Sequence, residues 1–205
     1  MVAATDALER LREGNRRFAA NEPAHRVGAE ARRRQLTDGQ EPFAIILGCS
    51  DSRVPAEIIF DQGLGDLFVI RVAGNIVESS QIGSIEFAAA KFGTRLVIVL
   101  GHSQCGAVEE TMRALQAPAA DHSDNVRAIV DFIRPSLESV LEQECGGDPD
   151  AIMEQAVRAN VRASAERLRH GSKIIEEMES NDGLLIVGAE YSLETGLVDF
   201  FDGAP

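Results

Sequence analysis

Two short polar segments of the chain carry residue types that bind metals. Residues 49–53 read CSDSR and residues 101–106 read GHSQCG, and each segment directly follows a short apolar run. Two thiolates and one imidazole suit a zinc ion, and a spacing of three positions between His102 and Cys105 lets both face one site in the first turn after a strand. Cys49, His102 and Cys105 are therefore candidate ligands of a tetrahedral Zn²⁺.

Three protein ligands leave one tetrahedral position open to water, which is typical of catalytic rather than structural zinc. We interpret the remaining cysteine, Cys145, as incidental, because it stands beside two glycines at a predicted helix end. Asp51 and Arg53 lie beside the open position. Asp51 can accept a hydrogen bond from metal-bound hydroxide or occupy the fourth position itself, and the Arg53 guanidinium can offset the thiolate charge. We expect this pair to gate the site.

The same residues allow other chemistry. A Cys49 nucleophile with His102 as its base would make a thiol hydrolase or a redox enzyme, but it leaves Cys105 without a task. A structural zinc with Asp51 as permanent fourth ligand would suit a regulatory or interaction protein. Taken singly, a cysteine at a strand end is more often a small buried hydrophobe. The joint placement at two strand ends favours the catalytic metal site.

The elements that must bring the two segments together follow a βαβ order. Strand-length apolar runs at residues 43–47, 67–70 and 96–100 are each followed by helix-like sequence, at residues 55–60, 79–92 and 106–115. This alternation predicts an α/β fold with a mostly parallel central sheet flanked by helices. If the first and third strands are neighbours, their carboxyl ends lie about 4.8 Å apart and can share one ion.

The rest of the chain supplies covering layers. Residues 124–144 and 149–178 read as long helices, the second interrupted near Gly171, and residues 184–187 and 197–200 read as strands joined by a turn. Residues 1–38 form a predicted N-terminal helical arm, with helices near residues 5–18 and 27–36, whose apolar stripe must pack on something. We find no linker or repeat, so we predict one domain over residues 1–205, with residues 39–205 as the α/β core.

Composition narrows the function classes further. The chain has 205 residues, of which 44% are hydrophobic, enough for a sizeable core. A net charge of −13, one Tyr and no Trp argue against a nucleic-acid partner. No apolar run reaches the ~20 residues of a membrane span, and the first residues lack a leader pattern. Three cysteines do not form a disulfide framework. We predict a cytoplasmic protein.

Taken together, three motifs resemble those of the β-class carbonic anhydrases. They are CSDSR at residues 49–53, DLFVIR at residues 66–71 followed by AGN at 73–75, and GHSQCG at residues 101–106. The resemblance is strong from about residue 40 to residue 106 and weaker towards both termini. It implies zinc-dependent, reversible hydration of carbon dioxide to bicarbonate by metal-bound hydroxide, with Cys49, His102 and Cys105 as the zinc ligands. Carbon disulfide, on which some relatives act, is the alternative substrate.

The same resemblance implies roles for residues around the metal. Asp51 and Arg53 form the catalytic dyad. Gln40 holds bicarbonate, and Phe68, Ala73 and Phe87 line the apolar carbon dioxide pocket. From the residues themselves, we expect the Gly106 N–H to hold a further bicarbonate oxygen. No histidine near the motifs is an obvious proton shuttle, and His25 and His122 are considered only because imidazole titrates near neutral pH. The resemblance also implies a homodimer or a dimer of dimers, in which the N-terminal helices embrace a second subunit and Gln40 serves the neighbouring subunit's zinc.

Overall fold

Five strands form one sheet in the part of the chain that our computed structural model describes, which covers residues 2–24, 30–116, 122–143 and 148–205. The elements follow in the order α1 (Ala4–Ala19), α2 (Glu30–Gln35), β1 (Ala44–Gly48), α3 (Ala56–Ile59), β2 (Leu67–Arg71), α4 (Ser79–Phe92), β3 (Leu96–His102), α5 (Gly106–Gln116), α6 (Asp124–Gln143), α7 (Pro149–His170), α8 (Lys173–Asn181), β4 (Leu185–Tyr191) and β5 (Val198–Asp202). Short 3₁₀ turns occupy Leu36–Asp38 and Ala73–Asn75.

The strand order is β2-β1-β3-β4-β5, and only the last pair is antiparallel. This confirms the prediction of an α/β fold with a mostly parallel sheet. The β4–β5 connection is short and turns at Gly196, which has a φ of 74°. A tight turn of that kind joins antiparallel neighbours, whereas the parallel pairs need helical crossovers. The observed strands begin and end within a few residues of the predicted ones.

Alternating strand side chains divide the core between the two faces of the sheet. Ile46, Ile98 and Val187 face the layer formed by α1 and α3. Val97 and Ile186, one position away on the same strands, face the layer formed by α4, α7 and α8. Because successive side chains of a strand point to opposite faces, strands covered on both sides are apolar throughout. The sheet is therefore rigidly held beneath its carboxyl edge.

The apolar stripe of α1 packs on its own chain. Leu8 and Leu11 are 1% and 0% exposed, and a Cβ on Gly14 would collide with the Phe60 carbonyl. Asn15 donates to the carbonyls of Ile59 and Gly196 over 3.2 and 2.9 Å. The resemblance suggested a second subunit as the partner of this stripe, and that expectation is wrong for α1. The core of the same chain covers the stripe, so α1 does not require a second subunit to bury it.

The second predicted helix of the arm behaves differently from the first. Within the described residues it spans Glu30–Gln35 and has no buried residue, while residues 27–29 lie outside them. Arg32 attaches it to the core by donating to the Leu64 carbonyl over 2.9 Å.

No helix among the described residues has the length and apolarity of a membrane span.

The sheet has its topological switch point between β1 and β3. The chain leaves β1 towards β2 on one side and reaches β3 on the other, so the two loops that follow β1 and β3 diverge to opposite faces. Ligands of open α/β sheets bind in the crevice that this divergence creates at the carboxyl ends. The parallel register, with Gly48 beside Leu100, places the two polar segments at one level.

Candidate metal centre

Cys49, His102 and Cys105 converge in the crevice beyond β1 and β3. All three residues are buried, and their ligand atoms lie within 4.8 Å of one another. The Sγ atoms of Cys49 and Cys105 are 4.0 Å apart. Two sulfurs bound to tetrahedral zinc at about 2.3 Å would be separated by about 3.8 Å. The prediction that the two strands are neighbours and bring these three residues together is confirmed, and the spacing fits zinc.

A hydrogen bond at Nδ1 orients the His102 imidazole so that Nε2 is left to bind a metal. Nδ1 lies 2.9 Å from the Ser103 carbonyl oxygen, which can only accept, so Nδ1 carries the proton. Nε2 is then an acceptor, and it is buried without a hydrogen-bond partner in the described part of the chain. The Ser103 carbonyl is itself positioned by β4 and the loop after it, because Ser103 N–H donates to Tyr191 and Leu193 N–H donates to Ser103 Oγ. A buried acceptor facing two cysteines is what a metal requires.

The two buried thiols, whose Sγ atoms are 4.0 Å apart, shift the pKa of one another in opposite directions. A hydrogen bond from the Cys105 thiol lowers the pKa of Cys49 to about 4, helped by the Gly74 N–H 3.4 Å from Cys49 Sγ. The hydrogen bond to Cys49, burial and the negative charge of Cys49 together raise the pKa of Cys105. A divalent cation would remove this competition, since it stabilises both thiolates at once.

Asp51 and Arg53 form a bidentate pair beside the cluster. Asp51 Oδ1 accepts from Arg53 N–H and Nε, both at 2.9 Å, and Oδ2 accepts from Arg53 Nη2 at 2.7 Å. These bonds hold the pKa of Asp51 well below its usual range. Asp51 Oδ2 lies 3.9 Å from His102 Nε2. Oxygen and nitrogen ligands of one tetrahedral zinc would be about 3.3 Å apart. The carboxylate therefore borders the cluster while Arg53 holds it back.

Arg71, at the end of β2, supports this loop in a way that the sequence analysis did not assign. Its Nε donates to the Cys49 carbonyl over 3.0 Å, and its Nη2 donates to the Asp51 carbonyl. The register pairs Arg71 with Gly48 on the neighbouring strand. The sequence did contain a sign of this role. Arg71 is a long cationic side chain at the end of a predicted strand, and its partner on the neighbouring strand, Gly48, directly precedes the metal-binding loop.

Gln40 and Phe87 lie together at one groove of the surface. Both border a groove of about 720 Å³ whose described lining includes none of the three candidate ligands. The Phe87 side chain is 49% exposed, and its ring centroid lies 6.4 Å from that of Phe68. Phe68 pairs with Ile45, four positions before Cys49, or about 13 Å along the strand. The groove that Gln40 and Phe87 border is therefore distinct in its described lining from the metal centre.

Of the remaining predicted site residues, Ala73 and Gly106 adjoin residues that contact or belong to the cluster, whereas His122 pairs with a glutamate on α5. Ala73 begins the turn that carries Gly74, whose N–H reaches Cys49. Gly106 begins α5 with open space where a Cβ would lie, and the N–H groups of a first helical turn have no partner within the helix. Of the two histidines considered as proton shuttles, His122 lies 2.7 Å from Glu110 Oε1. His25 and Cys145 lie outside the described residues.

Comparison with known proteins identifies similar chains along nearly the whole length. A family model described as carbonic anhydrase matches residues 44–198. Carbonic anhydrase 2 of Mycobacterium tuberculosis is 39% identical over 190 residues, which are 93% of this chain and 89% of that protein. The solved structure of the β-carbonic anhydrase CcaA has a TM-score of 0.74 at 26% identity, covering 95% of this chain and 91% of that one. Tetrameric β-carbonic anhydrases of Sordaria macrospora share the fold, with a TM-score of 0.75 at 22% identity, covering 92% of this chain and 93% of that one.

Proposed function

Since this chain belongs to the carbonic anhydrases, and within them to the β class, we propose that it catalyses the zinc-dependent, reversible hydration of carbon dioxide to bicarbonate and a proton. One observation carries this proposal. Three buried ligand atoms from two neighbouring strand ends converge within 4.8 Å, and the imidazole nitrogen among them has no hydrogen-bond partner in the described residues. The thiol hydrolase alternative leaves Cys105 unexplained.

Zinc is the cation that this donor set favours. Two soft sulfur donors and one imidazole exclude the oxygen-seeking cations Mg²⁺ and Ca²⁺, and tetrahedral geometry suits the sulfur separation. Zinc bound by Cys49, His102 and Cys105 would supply a Lewis acid that lowers the pKa of a water molecule enough to provide a nucleophile near neutral pH. The protein side of the site then has to orient that nucleophile and admit the substrate.

Asp51 is the orienting group. Arg53 occupies both carboxylate oxygens and keeps the carboxyl ionised, so Oδ2 can accept a hydrogen bond from the nucleophile but does not retain its proton. Since Oδ2 is within 3.9 Å of His102 Nε2, an accepted hydrogen bond fixes the direction of the nucleophile's remaining lone pairs. We propose that Arg53 holds Asp51 back from the fourth ligand position during turnover.

The substrate residues are proposed to come from two copies of the chain. Gly106 lies beside the cluster at the positive end of α5, where its N–H can bind a bicarbonate oxygen. Gln40 and Phe87 border a groove whose described lining lacks the three candidate ligands, the Phe68 ring lies 6.4 Å from that of Phe87, and Phe87 is half exposed. A homodimer, or a dimer of dimers, in which these residues serve the metal centre of another copy accounts for these facts. We also propose a cytoplasmic location.

A stopped-flow assay of carbon dioxide hydration, on protein of measured metal content, tests this function. We expect about one zinc per chain and a hydration rate that depends on it. Cys105→Ser and His102→Ala should lose both metal and activity, because each removes one of three ligands. Hydration that persists in metal-free protein would refute the proposal. A zinc-loaded protein that is inactive towards carbon dioxide but hydrolyses carbon disulfide would replace the substrate and keep the site.

A further inference from the structure

The turn at Ala73–Asn75 carries the backbone N–H that contacts Cys49 Sγ. Gly74 and Asn75 are both left-handed, with φ values of 69° and 43°. Glycine adopts this conformation at little cost, and asparagine is one of the few other residues that adopt it readily. The turn matters to the metal centre because its Gly74 N–H donates to Cys49 Sγ over 3.4 Å.

Asn160 holds this turn from the opposite side. It lies on α7 and is 2% exposed, and its Nδ2 donates to the Gly74 carbonyl over 2.8 Å. That carbonyl belongs to the peptide unit between the two left-handed residues. The turn has little room to shift, since a Cβ on Gly74 would lie 2.7 Å from Ile133 Cδ1 and 3.1 Å from Ala107 Cβ.

We propose that Asn160 is a positioning residue for the metal centre. By holding the peptide that joins Gly74 to Asn75, it fixes the backbone of Gly74 so that the Gly74 N–H, in the preceding peptide, hydrogen-bonds the Cys49 sulfur. The inference rests on the proposed metal-dependent function. Hydrogen bonds to a ligating thiolate hold electron density on sulfur, and partners beyond the first ligands orient them and tune the metal. Asn160 therefore acts on the metal centre through the backbone of Gly74, from its carbonyl to its N–H, and not through a hydrogen bond to a candidate ligand.

Cobalt substitution of the whole 205-residue chain gives a spectroscopic readout that a change in stability alone does not alter. The energy of the sulfur-to-cobalt charge-transfer band reports how tightly the ligating sulfurs hold their electrons. In Asn160→Leu, which keeps the approximate volume but removes the amide donor, we expect the band to move to longer wavelength. We also expect the Zn²⁺ dissociation constant, measured by competition with a chelator, to rise about tenfold. Asn160→Ser, whose side chain is too short to reach Gly74, should do the same.

Two variants on the same helix serve as controls. Leu168→Ala removes a fully buried side chain from the apolar layer beneath the sheet, so it lowers stability without touching the turn. Ser164→Ala removes a buried hydroxyl that has no partner among the described residues. Both should keep the parental band and Zn²⁺ affinity.

The outcomes separate this inference from the function it rests on. A parent protein that binds neither Zn²⁺ nor Co²⁺ would refute the proposed function, and the role of Asn160 with it. A parent that binds metal, with an unchanged band and affinity in both Asn160 variants, would overturn the role of Asn160 alone. The same would follow if Leu168→Ala shifted the band as far as Asn160→Leu does.

Discussion

Replacing Asp51 by Asn should separate catalysis from metal binding. In the native pair, Oδ1 accepts two hydrogen bonds from Arg53 and Oδ2 accepts one, at 2.7 Å from Nη2. The asparagine amide has one oxygen acceptor. Because Arg53 N–H and Nε both donate to the position of Oδ1, the amide oxygen is expected to occupy that position. The NH₂ group then takes the place of Oδ2, 3.9 Å from His102 Nε2, and the bond from Arg53 Nη2 is lost because two donors then face each other. The atom that faces the metal centre changes from an acceptor to a donor.

The magnitude follows from the loss of one oriented hydrogen bond in the transition state. Such a loss costs about 10²- to 10³-fold in rate in other enzymes, so we expect kcat/KM for carbon dioxide hydration to fall by about that factor. Metal content should be unchanged, because all three candidate ligands remain. Stability should change little, since the Arg53 side chain is 50% exposed and exposed ion pairs contribute little to stability.

Stopped-flow hydration on metal-replete protein measures the effect, with thermal unfolding recorded in parallel. Glu9→Gln is a matched control, because Glu9 also accepts from an arginine at 2.7 Å but lies on the exposed side of α1. It should leave the rate unchanged. If metal-replete Asp51→Asn hydrated carbon dioxide at the parental rate, Asp51 would not orient the nucleophile.

Three further predictions concern pH, support of the loop and packing of the first helix. Arg53 holds the pKa of Asp51 below its usual value of about 3.9. The stability that the ionised Asp51 carboxylate contributes is therefore fully present above about pH 3.9, and it is lost as the pH falls through the lowered pKa. A rise in kcat/KM between about pH 6 and 9, on folded protein, must then come from ionisation of the nucleophile, and a flat profile would contradict it. Arg71→Met removes two bonds to the metal-binding loop and should lower kcat/KM or Zn²⁺ affinity at least tenfold; parental values for both would contradict that support. Leu11→Ala should lower the free energy of unfolding, measured in urea, by about 2–5 kcal/mol, and a loss under about 1 kcal/mol would contradict the burial of Leu11.

The sequence was informative wherever a local pattern has a direct physical meaning. Alternation of apolar runs with helix-like segments predicted the parallel sheet, because strands covered on both faces must be apolar throughout. Cys49, His102 and Cys105 could be recognised as ligands because thiolates and imidazole at two strand ends have few other uses. The resemblance carried by residues 40–106 added the family, which comparison with known proteins confirmed.

Only the tertiary structure decided which residues support those ligands. Asn160 lies 86 positions from Gly74, and neither the periodicity of α7 nor its composition distinguishes this asparagine from a solvated one. Arg71 is visible in the sequence as a cation at a strand end, but its acceptors are the Cys49 and Asp51 carbonyls, and no side chain of that loop identifies them. The apolar stripe of α1 was visible in the sequence, but its covering surface was not. An apolar stripe shows that burial must occur without naming the partner, because the hydrophobic effect is non-directional.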